Sequence, residues 1–151
     1  MDMLVKKEKI FDNIVAVSGT KKEAIRTISR LCVKQTLLDA TQLEKAFWKR
    51  EEWDSTGCGE GIAIPHAIIK EIDEVQLFIV RFRYPIEWES FDDKKVDIAF
   101  AIIAPEEKGQ EKYLVFLSRL ARKLVDEKFI ADFRNCRSTE AVYQYVKNEL
   151  E

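Results

Sequence analysis

The sequence predicts an α/β fold: a single domain whose mixed β-sheet is sandwiched between helical layers. Three observations carry this. Apolar runs of strand length alternate loosely with segments of helical periodicity. Val96 to Ala104 is almost continuously apolar, as a central strand covered on both faces must be. Two strand-like runs follow one another in the middle of the chain, so the sheet is expected to be mixed. With 151 residues, no internal repeat and no low-complexity linker, the chain reads as one domain spanning 1–151.

The elements follow in order. Within Ile10 to Val17 the β-prone stretch is Ile14-Val15-Ala16-Val17, stopped by Ser18-Gly19. Thr20-Lys21-Lys22-Glu23 has the form of a capping box. Behind it Ala24, Ile25, Ile28, Leu31 and Cys32 recur at helical spacing, predicting a first helix from about Lys21 to Gln35 with Cys32 as a core thiol. Thr41-Gln42-Leu43-Glu44 repeats the capping pattern, and Leu43, Ala46 and Phe47 carry a second helix to about Trp53. Ile62-Ala63-Ile64 reads as a buried strand stopped by Pro65, while Ala67 to Glu74 is too short and mixed to assign. Val75 to Tyr84 is a strand that ends at Pro85, Ile86 to Ser90 a short extended piece, and Phe91 to Lys95 a polar turn. Pro105 to Gly109 ends the Val96 strand. Leu114, Leu117, Leu120, Ala121 and Leu124 mark an amphipathic helix beginning near Glu111. A short helical piece covers Lys128 to Phe133, and Ser138 or Thr139 caps a last helix through Val142, Tyr145, Val146 and Leu150.

Composition excludes several classes. A net charge of −2 supplies no global basic field, so no nucleic-acid partner is expected. No apolar run approaches the roughly 20 residues that span a bilayer, so no direct membrane insertion is expected. Met1 to Lys9 lacks the apolar core of a signal peptide. Cys32, Cys58 and Cys136 are odd in number, widely spaced and without a CxxC pair, which predicts reduced thiols in a cytoplasmic protein. With one histidine and scattered cysteines, neither a metal centre nor a cofactor is expected.

The chemistry points to Ser55 to Ala67. Three of the five glycines fall at Gly57, Gly59 and Gly61, and the apolar run after them ends at Pro65 and then at the sole histidine, His66. An imidazole where a strand leaves the sheet suits nucleophilic or proton-transfer chemistry near neutral pH, although a lone histidine is more often a structural residue than a reactive one. Arg50, in the last turn of the second helix, is on its own terms a cation complementing a helix C-terminus. A hydrolase pairing Cys58 with His66 is a poor alternative, because no oxyanion device can be read from the sequence.

The segment from Arg50 to Ala67 resembles the phosphorylation-site region of the fructose/mannitol-type (type 2) enzyme IIA domains of the bacterial sugar phosphotransferase system. The matching positions are Glu51, Cys58, Gly59, Ile62, Ala63, Ile64, Pro65, His66 and Ala67, with Cys58 where the family usually has an aliphatic side chain. The likeness extends to Tyr84-Pro85-Ile86-Glu87-Trp88 with Asp92 to Val96, and to Leu114 to Ala121, so it covers nearly the whole chain. It implies that His66 accepts a phosphoryl group from the phosphohistidine of HPr and passes it to a IIB domain in sugar uptake. It also implies that Arg50 steadies a carboxylate or the phosphoryl group by a bidentate contact. Amides of the Thr56 to Gly61 loop, made approachable by the glycines, are candidates for further donors, a question the sequence leaves to the geometry. Family members commonly carry a second histidine just before the Leu-rich helix segment; here that position is Tyr113, whose hydroxyl can donate to a phosphoryl oxygen but cannot act as an imidazolium. Tyr113 on its own terms is a partly buried aromatic of that helix. Its presence leaves a second role open, a regulatory module whose partner binding depends on phosphorylation of His66.

Overall fold

The computed structural model describes residues 4–151, so Met1 to Met3, the start of the expected 1–151 domain, lie outside the described residues. Among the described residues six strands form one mixed sheet between two helical layers, as expected. The elements are strand β1 (Ile10–Ile14), helices α1 (Lys21–Val33) and α2 (Ala40–Trp53), strands β2 (Gly57–Gly59), β3 (Ile62–Ala63), β4 (His66–Ile69), β5 (Gln76–Ile86) and β6 (Val96–Pro105), and helices α3 (Gln110–Lys123), α4 (Glu127–Arg134) and α5 (Thr139–Leu150). The order across the sheet is β1-β5-β6-β3-β2, with β4 also on β6. β5 and β6 pair antiparallel, while β1–β5, β3–β6 and β4–β6 are parallel.

Alternation along the two long strands sorts the core. Leu77, Ile79, Ile98, Phe100 and Ile102 face α3, α4 and α5 and meet Phe116, Leu120, Phe129, Phe133, Val142 and Val146. Phe78, Val80, Ala99, Ala101 and Ile103 face α1 and α2 and meet Ile25, Ile28, Leu43 and Phe47. Both faces of β6 are therefore dry, which is why its sequence lacks the alternation of a half-solvated strand.

Caps confirm most helix starts and move one. The Thr20 hydroxyl accepts from the Glu23 N–H at 3.3 Å, and Ser138 caps α5 by accepting from Ala141. For α2 the cap is Asp39, accepting from the Gln42 N–H at 2.9 Å, so Thr41 lies inside the first turn. α1 closes at Val33, two residues early, because Lys34 and Gln35 donate to carbonyls three residues back and tighten the end.

Three strand expectations also change. The first strand is Ile10–Ile14 and not Ile14–Val17: Asn13 takes a positive φ of 56°, the register with β5 shifts, and Val17 is left 90% exposed. β5 runs through Pro85 to Ile86, because Pro85 lies beyond the last β1 pairing, Ile14 with Phe82, where its missing N–H costs no ladder bond. The strand before Pro65 does not leave the sheet at His66. Pairings Ile62–Ile98, Ala63–Ala99 and His66–Ile102 keep one constant offset, and the Pro65 carbonyl accepts from the Ile102 N–H at 2.9 Å. β3 and β4 are thus one track along β6, interrupted only at Ile64-Pro65, and β4 occupies part of the unassigned Ala67 to Glu74.

Candidate functional site

The glycine-rich turn is shaped by what crosses it. A Cβ on Gly57 would sit 2.2 Å from the Glu89 carbonyl oxygen, so the side-chain-free backbone lets the β5–β6 connection lie directly against β2. Gly61 has φ +77°, and next to it Arg134 donates to the Glu60 carbonyl at 2.7 Å while forking onto Asp97. α4 therefore holds the turn from one side and the Glu89 to Asp92 segment from the other.

The turn's amides are largely committed. The Thr56 N–H donates to Glu51, the Gly57 N–H to the Ser55 hydroxyl at 3.3 Å, and the Glu60 N–H to Asp92 at 2.8 Å. Those three donors are spent inside the fold, so they do not form the expected cradle for a phosphoryl group.

His66 opens β4, half-buried, with its ring turned back on its own chain. Nδ1 lies 2.9 Å from the Ile64 carbonyl oxygen. A carbonyl only accepts, so Nδ1 carries the proton, and the lone pair of the neutral ring resides on Nε2. Burial pulls the His66 pKa below its ordinary value; the Ile64 bond opposes this, the Arg50 charge reinforces it, and the Glu51 carboxylate opposes it. The neutral, nucleophilic form is favoured as a result.

Arg50 sits in the last turn of α2. Its Nη1 donates to the Asp54 carbonyl at 2.5 Å, and its guanidinium lies 5.2 Å above the ring of Trp53, itself 81% exposed. The helix-end role is real, yet it uses only part of a five-donor fork. The same charge acts on His66 and on Tyr113. Tyr113, in the first turn of α3, is 6% exposed and packs into the α3–α5 core. Burial raises its pKa, with Arg50 opposing, so the phenol stays protonated at neutral pH and remains a donor. The charge of Arg50, from α2, is thus felt both at His66 on β4 and at Tyr113 on α3, the three residues singled out from sequence.

Cys58 is a poor nucleophile. Burial, then the Glu51 charge, pushes its thiol up to about 11, and its Sγ–H points at the Thr56 carbonyl. Sequence reasoning gave no role to Lys21, which reaches Glu51 from α1 and carries no local signal beyond its place in a capping box. Among the described residues no group of three or more His, Cys, Asp or Glu is placed to hold a metal ion, and no helix is long and apolar enough to cross a membrane.

Residues 3–149 match the family described as phosphoenolpyruvate-dependent sugar phosphotransferase system, EIIA 2. A nitrogen regulatory protein of Escherichia coli (strain K12) is 35% identical over 129 residues, covering 84% of this chain and 78% of that one. Among solved structures, nitrogen regulatory protein IIA-Ntr from Neisseria meningitidis superposes with a TM-score of 0.86 at 24% identity, over 95% of this chain and 96% of its own. The complex of enzyme IIA-mannitol with phosphorylated enzyme IIB-mannitol from Escherichia coli matches with a TM-score of 0.72 at 22% identity, over 93% and 95%. At those identities the two structures establish the shared fold.

Proposed function

The chain belongs to the EIIA 2 family of the phosphoenolpyruvate-dependent sugar phosphotransferase system, and on that premise we propose that His66 is its phosphoryl acceptor, charged at Nε2 by a phosphohistidine donor of the HPr type. The observation that carries the reading is the Nδ1–Ile64 bond, which leaves the Nε2 lone pair as the free nucleophilic site. In the step, that lone pair forms the new N–P bond while the donor's N–P bond breaks and its electron pair returns to the donor imidazole. The proton stays on His66 Nδ1, donated in a hydrogen bond to the Ile64 carbonyl, which stabilises the positive charge building on the ring. Arg50 faces the negative equatorial oxygens with the donors that Asp54 leaves over, and the Tyr113 hydroxyl adds a neutral donor.

For the next step several relatives favour regulation: they are named nitrogen regulatory proteins, and Tyr113 stands where family members commonly carry a second histidine. In this reading the phosphorylation state of His66 sets which cytoplasmic protein the domain binds. The sugar-uptake reading, transfer to a IIB domain, draws on the mannitol IIA–IIB complex of the same fold. Incubation with phosphoenolpyruvate, the general phosphotransferase enzyme and HPr should add the mass of one phosphate, confined to the His66 peptide. Uptake by His66→Ala would sink the assignment. Rapid transfer from the charged protein to a IIB domain encoded beside it would replace regulation with sugar carriage.

A further inference from the structure

Glu51 opens the sequence motif around His66, yet nothing in the phosphoryl step uses it. Its side chain is 1% exposed, which for a carboxylate demands compensation. The Thr56 N–H donates to its two oxygens at 3.1 and 2.9 Å, and the Thr56 hydroxyl donates to Oε1. The Lys21 side chain, 11% exposed and flanked by the rings of Trp48 and Trp88, places Nζ 3.6 Å from Oε2 while donating to Glu89 at 3.0 Å. Every neighbour is a donor, so the site suits a group that only accepts.

The contacts continue from Thr56 toward the imidazole. The Thr56 carbonyl accepts from the Ile64 N–H at 3.0 Å, and the Ile64 carbonyl accepts from His66 Nδ1–H at 2.9 Å. Pro65 limits the backbone freedom of Ile64, and β6 grips the Pro65 carbonyl through Ile102. At the far end of this chain of contacts Glu51 holds Thr56 by both its N–H and its hydroxyl.

We propose that Glu51 is the positioning residue for His66: anchored by Lys21, it fixes Thr56, hence Ile64, hence the proton on Nδ1 and the lone pair on Nε2. The inference takes its catalytic meaning from the phosphoryl-acceptor reading. The charge of Glu51 has a second, separable effect. Of the charged groups acting on the imidazole, Arg50 from α2 lowers its pKa and Glu51, one residue on, raises it. Position and charge can therefore be separated by substitution. Glu51→Gln keeps an oxygen for the Thr56 N–H and loses the charge; Glu51→Ala loses both.

The test reads the unphosphorylated protein first. Nitrogen-15 shifts of the His66 ring report the tautomer, and their pH dependence reports the pKa. Glu51→Gln should keep the Nδ1–H tautomer, titrate at a lower pH than the wild type, and take up phosphate from phospho-HPr within about threefold of the wild-type rate. Glu51→Ala should mix the tautomers and slow uptake about tenfold or more. A folded Glu51→Ala variant with wild-type tautomer and titration overturns the proposal. Should that variant fail to fold, Glu51→Gln decides alone: an unshifted titration or a mixed tautomer refutes it. If the ring responds as described but even the wild type takes up no phosphate, the acceptor reading fails while the positioning of the imidazole by Glu51 stands.

Discussion

Replacing Arg50 by alanine should do two things at once, and the structure sets the size of each. The guanidinium makes one bond to the Asp54 carbonyl and stacks on an exposed tryptophan ring. Losing both costs about 1.5–2 kcal/mol, taking about 1 kcal/mol for the hydrogen bond and about 0.5–1 kcal/mol for an exposed cation–π contact. A domain with the usual stability of about 5–15 kcal/mol stays folded after that loss. For phosphoryl uptake the variant forfeits a charge-assisted bond to a developing phosphoryl oxygen, worth about 1.5–3 kcal/mol, which corresponds to a rate lower by about 10- to 160-fold. The His66 pKa must move upward, since the Arg50 charge is one of the groups holding it down. Arg50→Lys separates the effects: it keeps the cation, so the imidazole titrates nearly as before, but loses the planar fork, so uptake falls part of the way. The assay is a single-turnover transfer from phosphorylated HPr, paired with an NMR titration of the lone histidine. Uptake by Arg50→Ala within twofold of wild type, or a His66 titration that stays put or moves down, refutes the electrostatic role.

Three further outcomes follow from the same geometry. His66 is held below its ordinary pKa in the folded state, so in the window between its folded value and about 6.5 the unfolded chain binds more protons. Its contribution to stability is complete above about pH 6.5 and is lost as pH falls through the folded value. As pH falls through that window the resistance of the wild type to urea should drop more than that of His66→Asn, and equal slopes would contradict the burial argument. Gly57→Ala places a Cβ on the Glu89 carbonyl and should cost about 2–3 kcal/mol, lowering the melting temperature by about 4–12 °C; an unchanged melting curve would mean the β5–β6 connection yields freely. Cys58, with its thiol pushed up to about 11, should react with iodoacetamide at pH 7.5 on the order of 100-fold more slowly than an unhindered cysteine, and rapid alkylation would revive a nucleophilic role for it.

Much of the scaffold was legible because its signals are local. Ala24, Ile25, Ile28 and Cys32 define a stripe that α1 buries, and Thr20 caps it within three residues. The apolar run of β6 announces a strand covered on both sides. Where the reading slipped, a distant partner overruled the local pattern. Ile14 to Val17 is rich in β-branched residues, but β5 pairs with Ile10 and Phe11, and the chain bends away at Asn13. β4 has only four residues and no period of its own, and exists because β6 continues beside it. Pro85 looked like a strand end, since nothing in the sequence tells that the pairing with β1 stops at Phe82.

The site divides in the same way. A sole histidine after Ile-Pro is a fact of order along the chain, and it singled out His66; Arg50 and Tyr113 took their roles from the family resemblance of the segments around them. The tautomer of His66, the commitment of the loop amides and the burial of Glu51 are facts of proximity. The Glu51 carboxylate meets Lys21 from a different helix, and the glycine turn is steadied by Arg134, 74 residues from the carbonyl it grips. Periodicity and capping arise between residues a few positions apart, so one dimension suffices to read them. Desolvation and hydrogen-bond partnership depend on which atoms share a volume once the sheet and both helical layers have closed, and that is settled only by the packed fold.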